Sequence, residues 1–256
     1  MWWERVVRYK DLTVDIEGKR IIRGLDFHIE KGETHVLFGP NGSGKTSLLM
    51  TILGDPKFKV VRGRILLKDV DVTNLSITDR VKMGLGLAFQ YPPAIRGVKL
   101  RDMINICMGE KSEELTEDQL KLAQKLKLDG FLERDVNLGF SGGERKRSEV
   151  LQLLAQQPDF ILLDEPDSGV DVENMELIGN ALNELLRSQI PSMRSKAGLI
   201  VTHLGYILRY AKADRAHVML NGCIACSGNP DEILQEIMTL GYEGCVKSCL
   251  KNMNAH

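Results

Sequence analysis

The sequence predicts an α/β fold in which helices flank a mostly parallel sheet, with an antiparallel β segment at the start and a helical segment inserted later. Three observations carry that prediction. Short apolar runs of strand length (THVLF at 34–38, FILL at 160–163, LIVT at 199–202) alternate with stretches of helical period. The opening residues alternate apolar and polar. From Leu100 to Leu132 the pattern becomes helical and polar, as in LTEDQLKLAQKLKL. At 256 residues and 43% hydrophobic content, the chain is long enough for one domain with a sizeable core. We read a single domain over 1–256, with the sheet core in 1–90 and 158–256 and the helical subdomain in 91–157.

In chain order, Arg5 to Ile29 (VVRYKDLTVDI, then IIRGLDFHI) reads as two or three antiparallel strands. Thr34 to Phe38 is a strand entering a glycine-rich turn. Lys45 to Leu53 reads as a helix closed by Gly54, Asp55 and Pro56. Strands follow at Arg64–Leu67 and Leu85–Phe89, and the prolines and glycine of YPPAIRG make 91–97 a loop. A helix starts after Gly142, a buried strand covers Phe160–Leu163, and a helix spans Val172–Leu186. After the strand Leu199–Thr202, residues His217–Ser227 form a hairpin turning at Asn221-Gly222. The tail from Asp231 is helical.

Charge argues against nucleic-acid binding, while leaving room for a local basic patch. With 34 basic and 35 acidic residues, the net charge is −1, so the chain has no long-range field for nucleic acid or an anionic membrane. No apolar run approaches the roughly 18 residues of a membrane-spanning helix. The opening MWWERVVRYKDL lacks the apolar core of a signal peptide. These features predict a cytoplasmic location, with any membrane part supplied by another subunit. The five cysteines, Cys107, Cys223, Cys226, Cys245 and Cys249, read as free thiols in a reducing compartment. The Cys223/Cys226 pair has metal spacing, but in a strand its side chains point to opposite faces. Cys245 and Cys249 could share a helix face. Mg²⁺ is the one metal expected.

Residues 39–46, Gly39, Pro40, Asn41, Gly42, Ser43, Gly44, Lys45 and Thr46, fit G-x-x-x-x-G-K-[ST] and lie between a strand and a helix. Glycines let the backbone curl round phosphates, and successive N–H groups and the helix N-terminus face the anion. Lys45 reaches the terminal phosphates, Thr46 offers its hydroxyl to Mg²⁺, and Ser47 follows in the first turn. Asp164 and Glu165 end the strand FILLDE, at the edge where ligands bind in open α/β sheets. Asp164 suits Mg²⁺. Glu165 suits the orientation and polarisation of an attacking water. Taken alone, this pair could be an acidic turn. Its place downstream of the phosphate loop gives it meaning.

The segment FSGGE at 140–144 opens a helix, and here the chain resembles the ABC ATPase family, over about residues 5–235. The order of the phosphate loop, Gln90, the SGG segment, Asp164-Glu165, Asp171 and His203 carries the resemblance. It implies the ABC ATPase fold with a RecA-like core, and a Mg-ATP site shared between two copies of the chain. Ser141, Gly142, Gly143 and Glu144 would meet the γ-phosphate of ATP held on the partner. Gln90 would sense Mg²⁺, Asp171 would cross the dimer interface unless it only caps a helix, and His203 would contact the γ-phosphate. Lys45, Glu165 and His203 would be the catalytic set. Ile16 replaces the aromatic residue that often stacks on adenine, so base contacts should be apolar and weakly selective. The signature also departs from the transporter pattern, reading SGGERKR. Together with AFQYPPAIRGV (88–98) and the DSGVD run, that departure is most similar to the SufC branch of the family, the ATPases of SUF iron–sulfur cluster assembly. The resemblance implies SufB- and SufD-like partners docked near the Gln90 loop. A transporter subunit is the rival reading. A chromosome or DNA-repair ATPase would need a coiled coil between the phosphate loop and the signature.

Overall fold

The computed structural model describes residues 5–110, 112, 114–187 and 194–253. Two sheets organise them. The first is antiparallel, in the order β2-β1-β4-β5. Its strands β1 (Arg5–Ile16) and β2 (Lys19–Glu30) turn at Glu17 and Gly18, both with positive φ, as a tight hairpin requires. One face of β2 is buried through Ile22, Leu25, Phe27 and Ile29 while the residues between them face outward. The opening stretch therefore forms two long strands. β4 (Lys59–Leu67) begins five residues before the expected Arg64, because β1 is long enough to pair with Lys59 and Val60. The edge strand β5 (Val70–Asp71) completes the sheet.

The second sheet has six strands in the order β10-β9-β3-β8-β7-β6. β3 (Thr34–Phe38), β6 (Leu85–Ala88), β7 (Phe160–Asp164), β8 (Ala197–Val201) and β9 (Arg215–Leu220) pair in parallel, and β10 (Cys223–Gly228) adds an antiparallel edge. Every residue of β3, β7 and β8 is buried, as expected of strands covered on both faces. Alternation divides them between two cores. Phe160 and Leu162 face the antiparallel sheet and α1 (Lys45–Leu53), whereas Ile161 and Leu163 face α5 (Gly142–Gln156) and α6 (Val172–Leu186). Each large aliphatic side chain buried this way contributes about 1.5–3 kcal/mol.

The helical stretch from Leu100 breaks into α3 (Leu100–Met108), α4 (Glu117–Lys125) and a 3₁₀ turn at Asp129–Phe131. A short α2 (Ile77–Lys82), capped by Ser76, was not expected from the sequence, although Ser76-x-x-Asp79 is a helix-start signal. The last helix, α7 (Pro230–Met253), is kinked at Gly241, whose φ of 70° and ψ of 175° lie outside the helical region. No helix among the described residues is long and apolar enough to cross a membrane.

The cysteines require a correction. Cys226 in β10 and Cys249 in α7 form a disulfide, while Cys107, Cys223 and Cys245 remain thiols. The free-thiol reading fails for this pair because the kinked helix folds back along β9 and β10 and brings residues 23 positions apart to a Cα separation of 6.2 Å. Burial pushes the Cys245 and Cys107 thiols up to about 11, which leaves them poor nucleophiles. Alkylation of the denatured, unreduced protein should therefore label three cysteines, and five after reduction. Closing a loop of this size is worth about 3 kcal/mol. Reduction should raise hydrogen exchange in α7 well before it affects β3 or β7.

Candidate active site

The glycine-rich loop leaves β3 at Phe38 and enters α1 at Lys45. Gly42 and Gly44 adopt positive φ, and the Ser43 carbonyl accepts from the Gly222 N–H at 2.9 Å, so the β9–β10 turn braces the loop. The N-cap of α1 is Gly44, which offers no side-chain cap, and the first turn carries no acidic residue. The first amides of α1 are thus left for an external anion. Lys45 Nζ donates to the carbonyls of Gly39 (2.7 Å) and Pro40 (3.0 Å). Burial lowers its pKa, opposed by the Glu165 and Asp164 charges.

Gln90, Glu165 and His203 follow the carboxyl ends of β6, β7 and β8. The sheet places these strands side by side with β7 in the middle. Glu165 therefore has a neighbour on each flank. Its Oε2 accepts from Gln90 Nε2 at 2.6 Å and its Oε1 meets His203 Nε2 at 2.7 Å. Glu165 also holds a positive φ of 47°, and its N–H donates to the Val201 carbonyl at 2.9 Å. A non-glycine residue in that region stores of order 1 kcal/mol of strain, which the three bonds offset. Beside it, Asp164 is 1% exposed and accepts a 3.3 Å bond from Thr46 Oγ1. Burial raises the Asp164 pKa, with the Thr46 bond opposing. A buried carboxylate beside a threonine hydroxyl at a phosphate loop is a donor set suited to Mg²⁺.

Ser141 is the N-cap of α5. Its hydroxyl accepts from the Glu144 N–H, and the Glu144 carboxylate accepts from the Ser141 N–H at 2.7 Å, a capping box. Ser141 and Gly142 are exposed and Gly143 is buried. A Cβ on Gly143 would lie 2.6 Å from Asn174 Nδ2, so the second signature glycine is what lets α5 pack on the first turn of α6. Asp171 caps that turn through the Asn174 N–H at 2.8 Å. The Ser141 and Glu144 bonds are thus local to the start of α5 and do not reach the Gln90, Glu165 and His203 cluster. Ile16 ends β1, half-buried and opposite Lys19, while Ile21 is the residue near Gly44.

Sequence reasoning missed the residues that hold this cluster in place. Lys146 Nζ donates to the Phe89 carbonyl (2.7 Å) and Glu149 Oε1 accepts from the Phe89 N–H (2.8 Å), so α5 grips the backbone just before Gln90. On the other flank, Thr202 Oγ1 donates to the Asp167 carboxylate at 2.7 Å and accepts from the Gly205 N–H at 3.0 Å, fixing the turn that carries His203. The available signal was position: Lys146 and Glu149 lie among the residues that bury the apolar stripe of α5, where a charge needs a reason. Burial pushes the Glu149 carboxyl up to about 7. A folded-state pKa above the unfolded value makes ionisation costly to the fold, so stability should fall as pH rises from about 4.5 to 7. Glu149→Gln should flatten that loss by on the order of 2–3 kcal/mol, read from urea midpoints at pH 5 and pH 8.

The chain matches known proteins over most of its length. The family model for ABC transporters covers residues 22–168. A probable ABC transporter ATP-binding protein of Streptococcus pyogenes serotype M18 is 37% identical over 250 residues, 93% of this chain and 94% of its own length. Vegetative protein 296 of Bacillus subtilis is 38% identical over 245 residues, covering 91% of this chain and 90% of that one. Among solved structures, a nucleotide-free ATP-binding cassette from an ABC transporter superposes with a TM-score of 0.76 at 25% identity, covering 94% of this chain and 98% of its own. With the phosphate loop, the buried Asp164-Glu165 pair and the capped SGG helix in place, this chain belongs to the ABC transporter family of ATP-binding proteins.

Proposed function

We propose that this chain binds Mg-ATP between two copies of itself and hydrolyses it to drive SUF-type scaffold proteins, resembling SufB and SufD, in iron–sulfur cluster assembly. The observation that carries the hydrolytic part is the placement of Glu165 between Gln90 and His203, next to Asp164, which accepts from the Thr46 hydroxyl. Gly39 to Ser47 would cradle the phosphates, with Lys45 turning from the carbonyls of Gly39 and Pro40 to the β- and γ-oxygens. Thr46, Asp164 and Gln90 would hold Mg²⁺, which when bound neutralises phosphate charge. Glu165 accepts hydrogen bonds and polarises the attacking water, and His203 holds the γ-phosphate. The chemistry is positioning and charge stabilisation, with no covalent enzyme intermediate.

The exposed end of α5 completes the site on a second copy. Ser141 and Gly142 present the helix N-terminus outward, Gly143 would add its amide behind them, and the Glu144 carboxylate locks that geometry through the capping box. Asp171 would lie at the same interface. ATP contacts both halves only when they close, so it has the differential affinity needed to shift an open–closed equilibrium. Closure would be transmitted to the docked partner through Gln90, whose backbone α5 grips at Phe89.

Partner choice rests on the SGGERKR, AFQYPPAIRGV and DSGVD segments. A second reading, a transporter's nucleotide-binding subunit, is favoured by the name of the Streptococcus relative. Purification from native extract separates the two. Co-purification of soluble SufB- or SufD-like proteins is the expected result, whereas recovery of a membrane permease would replace the SUF reading with transport. The nucleotide site has its own check: Lys45→Ala should weaken ATP binding at least about 100-fold by titration calorimetry. Unchanged affinity would remove the loop from its role.

A further inference from the structure

Tyr242 is not part of any nucleotide motif, yet it reaches the site. The kink at Gly241 breaks α7 and places the next residue against the turn after β8. The Tyr242 hydroxyl donates to the His203 main-chain carbonyl at 3.1 Å. Burial raises the phenol's pKa, while the Gly39 amide opposes that shift and the Glu165 charge adds to it, so the same oxygen sits within the field of the phosphate loop and the carboxylate. The segment is anchored on its far side by buried Cys245 and by the Cys226–Cys249 disulfide to β10. His203 is therefore held twice, by Asp167 acting through Thr202 and by Tyr242 at its own carbonyl.

We propose that Tyr242 is a positioning residue for ATP hydrolysis, fixing the backbone of His203 so that its imidazole stays on Glu165. The proposal rests on the reading of His203 as the γ-phosphate contact. A neutral hydrogen bond at such a point is worth about 1 kcal/mol, a rate factor of about five to ten. Losing it would let the 202–205 turn relax and would misplace the imidazole without touching the phosphate loop.

The test is a double-mutant cycle of Tyr242→Phe and His203→Ala, followed by steady-state and single-turnover hydrolysis. Tyr242→Phe should lower kcat about five- to tenfold with the KM for ATP within about twofold, and should cause no further loss in the His203→Ala background. An equal loss in both backgrounds, or a rise in KM without a fall in kcat, would make Tyr242 a structural anchor of α7 and overturn the proposal. A second readout serves if hydrolysis by His203→Ala is too slow to follow. The His203 imidazole resonances, assigned by their loss in His203→Ala, should shift in Tyr242→Phe and stay in place in Thr239→Ala, which alters an exposed residue of the same helix. Unmoved resonances in Tyr242→Phe would contradict the proposal. If His203→Ala hydrolyses ATP at the unaltered rate, it is the reading of His203 that fails, and that outcome is distinct from additivity in the cycle.

Discussion

A carboxylate that is 7% exposed, at the end of a buried strand, needs hydrogen-bond donors around it, and the fold around Glu165 supplies them. Three parallel strands end side by side, and each delivers one residue to the same point. β6 leads to Gln90, β7 to Glu165 and β8 to His203. The arrangement depends on strand order, because β7 lies between β6 and β8. The glycine-rich loop follows β3, the next strand beyond β8, so it lies in the same row. The fully buried strands β3, β7 and β8 hold these ends in register.

The supports of the site come from elements remote in sequence. α5 begins at the exposed signature and, two turns later, binds both polar groups of Phe89. One helix therefore links the surface proposed for the second copy with the loop proposed for the partner. Asp167 and Tyr242 hold the His203 turn from opposite sides in the chain. On the proposed reading, a site whose residues are held by different elements is suited to report closure at one end to a partner at the other.

Much of this was legible in the sequence. Periodicity placed α1 at Lys45–Leu53 and α6 at Val172–Leu186, and Asn221-Gly222 forms the hairpin turn that was expected. The strand–loop–helix setting of residues 39–46 and the place of Asp164-Glu165 at the end of β7 were readable because each motif is contiguous. What could not be read was contact between distant residues. Nothing local marks Tyr242 as a neighbour of His203, or Cys226 as the partner of Cys249, since both depend on a kink at Gly241 inside a helical pattern. The six-residue α2 is too short to show a period, and β4 began early because pairing with β1 outweighed its polar composition.

The central claim is that Glu165 acts on hydrolysis and that ATP joins two copies. Glu165→Gln tests both at once, by turnover and by sedimentation with Mg-ATP. The amide can still hydrogen-bond to its neighbours, but it is a far poorer base than the carboxylate. The account predicts retained ATP binding, an ATP-dependent dimer and turnover reduced at least about 100-fold. Turnover at the unaltered rate, or a monomer at saturating ATP, would contradict it.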